Sequence, residues 1–198
     1  ESAAKIAMAD RDAITALRAK VDKLPLTAKA VRDLEFPQKA QAALRKVVRD
    51  VLADGYRTGQ QTAALEMRKG KYNVRLSEAG DATLTLLAER GGFVGKGAQA
   101  FFEAKSFWAT GLLLDDILKR GQAVLFNALK QDKTKGQTLY ELDQAVGEYL
   151  PETDALGRIV NVPHRIETIA RTNLGEAINE GRWAAFNDPD LEGFIAQV

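Results

Sequence analysis

Apolar residues recur at helical spacing along most of the chain, and prolines fall where that spacing breaks. Residues 3–23 carry Ile6, Ala9, Ala13, Leu17 and Val21 on one narrow stripe, and Pro25 closes the pattern. Glu35-Phe36-Pro37 is the next break, because a residue before proline is pushed out of the helical region. From Gln38 to Arg68 the pattern runs on with Ala40, Leu44, Val47, Val48, Val51 and Leu52 turned inward. The expected fold is mainly α, an elongated multi-helix assembly of long helices. Phe194, Ile195 and Val198 suit a short strand at the C-terminal end.

Inside the second long helix, Gly55, Gly59 and Ala63 recur every fourth residue. Glycine in a helix interior costs roughly 0.5–1 kcal/mol relative to alanine, so the stack asks for a reason. Close approach of another helix backbone supplies one, since small residues leave a groove. The competing reading is a helix that ends near Gly55 and restarts.

"KGKYNVR" (69–75) reads as a loop, followed by a helix from Ser77, a suitable cap, to Arg90. "GGFVGKG" (91–97) fails as a phosphate-binding loop. The spacing from Gly91 to Gly95-Lys96 is one residue short, and Gly97 stands where Ser or Thr should hold magnesium. A flexible hinge is the better reading. Residues 98–130 make one or two helices, with Gly111 and Gly121 as candidate breaks. Thr138 can cap a short helix through Leu150, residues 152–162 read as a loop, and "NDPD" (187–190) ends the last helix.

The chain is 45% apolar and 28% charged, which suits a globular fold with a real core. It has no run of 18 apolar residues, so no membrane span is expected. Cysteine is absent and His164 is the sole histidine, which excludes disulfides, thiolate zinc sites and a cysteine nucleophile. His164 beside Pro163 at a helix start suits a capping or surface role better than a catalytic triad. Asp188, Asp190 and Glu192 lack a full calcium-loop pattern and read as helix termination. Neither a cofactor nor a metal is expected, and the chain does not read as an enzyme.

Charge is uneven. Residues 1–75 hold 16 basic and 9 acidic side chains, whereas residues 76–198 hold 12 and 18. A basic first half can approach nucleic acid through Lys39, Lys46, Arg49, Arg57, Arg68, Lys69, Lys71 and Arg75, although no recognised reader motif accompanies them. A solvated helical surface is the plainer reading.

"RIETIARTNLGEAINEGRWAAF" (165–186) is the most informative stretch. At about 100° per residue, Ile166, Ala170, Ala177, Gly181 and Ala184 form one stripe, while Thr168, Thr172, Asn179 and Phe186 lie roughly opposite. A helix small or apolar on two sides is expected to sit between other elements. Its threonine hydroxyls and the Asn179 amide would then clamp neighbouring backbone, since a buried unsatisfied polar group costs about 1–3 kcal/mol.

The same stretch closely resembles the signature of the phage Mu F-type minor head protein family, or phage head morphogenesis domain. Arg165, Ile169, Ala170, Arg171, Thr172, Ala177, Asn179 and Gly181 occupy the signature places, while Asn173 stands where the family most often has glutamate. "ILKRGQAVLFNALKQDKTKGQTLYELDQAVGEYL" is similar to the helix-turn-helix preceding that signature, so the resemblance covers about residues 115–198. Family members continue into a strand and an Asp-Arg-Thr segment, and this chain reaches only "FIAQV", where the strand would begin.

The resemblance covers the last of three expected regions: a basic helical arm of two long helices (1–75), a linking helical region with the 91–97 hinge (76–114), and a head-morphogenesis-like helical domain, truncated at its C-terminal end (115–198). It implies a virion structural protein of the head, assembled in the host cytoplasm and acting at or near the portal vertex in head assembly, genome packaging or delivery. The implied partners are the portal protein, other head proteins and packaged DNA, with several copies per particle and no membrane. The alternative is a helical nucleic-acid-binding protein using the basic first half.

Overall fold

The computed structural model describes residues 1–69, 78–92 and 94–191. Among them the fold is mainly α, with helices α1 (Ser2–Lys23), α2 (Ala28–Arg32), α3 (Gln38–Arg68), α4 (Glu78–Arg90), α5 (Lys96–Lys130), α6 (Lys135–Gly147) and α7 (His164–Phe186). The expected cap at Ser77, the loop around Lys71 and Arg75, Glu192 and the C-terminal strand lie outside the described residues. The chain forms two compact units, Glu1–Val48 with Ser106–Ala170, and Arg49–Lys105 with Arg171–Val198.

In the first unit, α1 buries a broader stripe than its sequence suggests. Ala7, Asp10 and Ile14 join Ile6, Ala13, Leu17 and Val21 in the interior, where Leu44, Leu113, Ile117, Leu125, Leu142 and Ile166 complete the core. Asp143 on α6 takes a two-pronged bond from Arg18 on α1, at 2.7 and 3.0 Å. The carboxylate beside it holds the exposed guanidinium above its ordinary pKa. The connection through α2 is fixed from α5, where the Gln122 amide donates to the carbonyls of Val31, Arg32 and Leu34.

Neither Gly111 nor Gly121 breaks α5, which stays one helix because the flanking residues hold a continuous buried face. It ends where Asp132 adopts φ 50° and Lys133 N–H reaches back to the Ala128 carbonyl, a Schellman-type stop. The cap of α6 is Thr134 rather than Thr138. Thr134 and Gln137 form a reciprocal capping box, while Thr138 is buried one turn inside the helix and bonds back to the Thr134 carbonyl. The helix closes at Gly147, short of Leu150.

Residues 152–162 are not a plain loop. Strands β1 (Glu152–Thr153) and β2 (Ile159–Asn161) pair antiparallel. The turn is tied by Asp154, whose carboxylate accepts from the Leu156 and Arg158 amides and the Arg158 guanidinium. Those bonds lower its pKa, and Gly157 supplies the φ of 75° that the turn needs.

The second unit explains the glycine stack. Helix α3 continues through Gly55 without interruption, and its small residues meet small residues of α7. A Cβ built on Gly59 would lie 2.0 Å from the Ile178 carbonyl oxygen, and one on Gly181 would lie 1.9 Å from that of Tyr56. Two helix backbones can cross this closely only where no Cβ intervenes. Alongside, Ala63, Ala64, Met67, Leu84, Leu87, Ala185 and Leu191 form a core against which Ala88 and Phe186 pack. Gly91, at φ 70°, ends α4, and Gly92 N–H donates to the buried Gln60 at 2.9 Å, so this pair of the 91–97 stretch is an anchored turn. Phe93 lies outside the described residues.

Candidate functional site

Helix α7 begins at His164, with Pro163 just before it offering its carbonyl to the amides of Ile166 and Glu167. His164 is exposed at the helix start. One turn of buried side chain follows another on a single face: Ile166, Ala170, Asn173, Ala177, Gly181 and Ala185. Ala185, rather than Ala184, completes the stripe, which drifts round the helix because 3.6 residues per turn does not divide evenly into the three- and four-residue steps.

The opposite face differs from expectation. Thr168, Thr172 and Asn179 are exposed, and none of them grips neighbouring backbone among the described residues. The helix is buried on one side, so these polar groups face water and need no protein partner. Phe186 alone of that set is drawn inward, against the second-unit core. The same face carries Trp183, 67% exposed, within about 50° of Thr172 and Asn179 around the helix. Arg171 is also exposed, about 100° round the helix from Thr172.

The signature residues therefore sort into two sets. Ala170, Ala177 and Gly181 are packing positions, as is Arg165, whereas Arg171, Thr172 and Asn179 are presented outward; Ile169 is half-buried. Asn173 is 3% exposed, and a neutral amide there avoids the cost of burying a carboxylate charge.

Arg165 is the electrostatic centre of the first unit. Its guanidinium donates to the Leu113 carbonyl on α5 at 2.8 Å and to Asp10 Oδ2 on α1 at 2.5 Å, and stacks 4.6 Å from the Tyr149 ring centroid. Asp10 is fully buried, and its second carboxylate oxygen has no hydrogen-bond partner among the described residues. Burial outweighs the attraction of Arg165 and pushes its pKa up to about 6. In the second unit, Arg182 grips Glu66 on α3 with a two-pronged bond at 3.0 and 2.7 Å. Burial and then the negative charge of Glu180 raise the Tyr56 hydroxyl.

The basic candidates are only partly available. Lys39 and Lys46 are exposed on α3 in the first unit. In the second unit Arg49 pairs with Glu103 at 2.9 Å, Arg57 with Asp54 at 3.4 Å, and Arg68 donates to Thr85; Lys69 is exposed. Lys71 and Arg75 lie outside the described residues. Asp188 accepts from the Asp190 amide and Asp190 from the Thr83 hydroxyl, as a helix stop tied to α4. Among the described residues no acidic or histidine cluster of metal-binding size occurs, and no helix is long and apolar enough to cross a membrane. No family model, curated protein or solved structure matches the chain.

Proposed function

We propose that the chain is a minor head protein of the phage head morphogenesis type, a non-enzymatic virion component acting at or near the portal vertex. The observation that carries this reading is the behaviour of "RIETIARTNLGEAINEGR" as one helix. Ala170, Ala177 and Gly181 are buried and Arg165 is half-buried, while Arg171, Thr172 and Asn179 are left outward. The outward face, with Trp183, supplies what an assembly protein needs: polar hydrogen-bonding groups around an aromatic anchor. Exposure of Thr172 and Asn179 removes the two-sided clamp from the support for this reading, which now rests on the signature itself. The test is comigration of the folded chain with its cognate portal protein on size exclusion. A stable complex weakened by Trp183→Ala is the expected result, and no complex with both partners folded would overturn the proposal.

A second reading, nucleic-acid binding, draws on Lys39 and Lys46, which stand about two turns apart on α3, exposed and outside any ion pair among the described residues. Such contact to phosphate should weaken steeply with salt. A duplex titration at low and high salt tests it, and salt-indifferent or undetectable binding removes it.

A further inference from the structure

Helix α5 leaves an unusual stripe uncovered in the first unit. Trp108 is 52% and Leu112 40% exposed, and Asp115, Lys119 and Ala123 are exposed after them, with Phe126 half-buried. At about 100° per residue these six positions fall within roughly 80° of one another, a single face of one uninterrupted helix. Asp115 and Lys119 stand four residues apart, yet neither has an ion-pair partner among the described residues.

Along this stripe the apolar groups mirror one another and the two charges are opposite: aromatic, aliphatic, acid, base, aliphatic, aromatic. Laid antiparallel on a copy of itself about a two-fold axis level with position 117, the stripe sets Trp108 against Phe126 and Asp115 against Lys119, and brings Leu112 within one residue of Ala123. Each pairing occurs twice, because a two-fold interface is self-complementary. In parallel alignment, or against an uncharged groove, the acid and the base would lose their partners on desolvation. We propose that this face of α5 is a homodimer interface, and that a second copy of the chain covers it. The charge pattern selects the copy over an unrelated apolar partner, since it fixes both direction and register. The inference is independent of the head-protein reading.

Sedimentation equilibrium of the whole chain tests it. The expected result is a reversible rise from 21.6 kDa toward twice that mass at micromolar concentration. Asp115→Lys places like charges opposite one another at two symmetric points and should weaken association about tenfold, whereas the swap Asp115→Lys with Lys119→Asp should restore it. Circular dichroism checks that both variants fold. Because the chain has no cysteine, mixed Asp115→Cys and Lys119→Cys chains give a direct register test. The mixture should form disulfide-linked dimer faster than either variant alone. A chain that stays monomeric to about 100 μM, or a dimer indifferent to Asp115→Lys, overturns the proposal.

Discussion

Gly181→Ala and Gly175→Ala place the same methyl group on the same helix and should move stability in opposite directions. At Gly181 the new Cβ would stand 1.9 Å from the Tyr56 carbonyl oxygen and 2.8 Å from its carbon. Both are backbone atoms, so no rotamer change relieves the clash. Restoring an ordinary contact of about 3.2 Å requires α3 and α7 to part by roughly 1.3 Å, and a gap of that order forfeits a quarter to a half of each dispersion contact along the crossing. Overpacking of this kind costs about 1–3 kcal/mol or more, offset by up to about 1 kcal/mol from alanine's helix propensity. A net loss of about 2 kcal/mol is expected. At Gly175 nothing lies within 4 Å of the built Cβ, so only the propensity acts, for a gain of about 0.5–1 kcal/mol. With a urea slope of about 2 kcal/mol/M, the midpoints should shift down by about 1 M for Gly181→Ala and up by about 0.3–0.5 M for Gly175→Ala. Far-UV circular dichroism reads both. A Gly181→Ala midpoint at or above that of the parent chain would refute the close crossing of α3 and α7.

The remaining predictions concern single contacts. Asp10 has its folded pKa raised to about 6 from 3.8, so the folded state binds its proton more readily than the unfolded state. Its contribution favours folding most below pH ~4, falls as pH rises through ~6 and is flat above; Asp10→Asn should flatten that limb in a stability-against-pH series, and an unchanged limb would count against the assignment. Arg165→Met removes the partner of a buried carboxylate and should cost about 3–5 kcal/mol at neutral pH, measured by urea titration. Thr134→Ala removes the capping box of α6 and should cost about 1 kcal/mol, with increased amide exchange confined to its first turn.

The helices were legible because periodicity is local. Pro25, Pro37 and Pro163 mark real boundaries, and α3 covers the span its apolar spacing announces. Where reading failed, a competing local signal decided. Thr138 looked like a cap, yet Thr134 has the glutamine at the third helical position that completes a capping box, and that pairing was available in "TKGQ". The hairpin at 152–161 was also signalled, by Asp154 and Gly157 flanking a turn, but its strands are too short to show alternation. Gly111 and Gly121 looked like breaks because glycine lowers propensity, and burial of Leu113, Ile117 and Leu125 overrode it.

The site was less legible, and Asp10 shows why. An aspartate on the charged helix α1 reads as a solvent residue, since Asp is rarely buried unless paired, and its partner lies 155 residues away on α7. Nothing in the local pattern of either helix announces that pairing. The resemblance singled out Arg165 without a role, and the geometry supplies one: its donors reach α1 and α5 and its plane covers Tyr149, so one guanidinium fixes three surroundings of the helix that bears it. Lysine could reach one of these partners but not fork between two while stacking on a ring. The outward threonine and asparagine illustrate the converse error. Their spacing opposite a small-residue stripe reads equally as a second buried face or as a presented surface, because both require the same periodicity. Only tertiary burial separates the two, and it places Thr172, Asn179 and Trp183 in solvent, where their chemistry is directed outward from the unit that holds them.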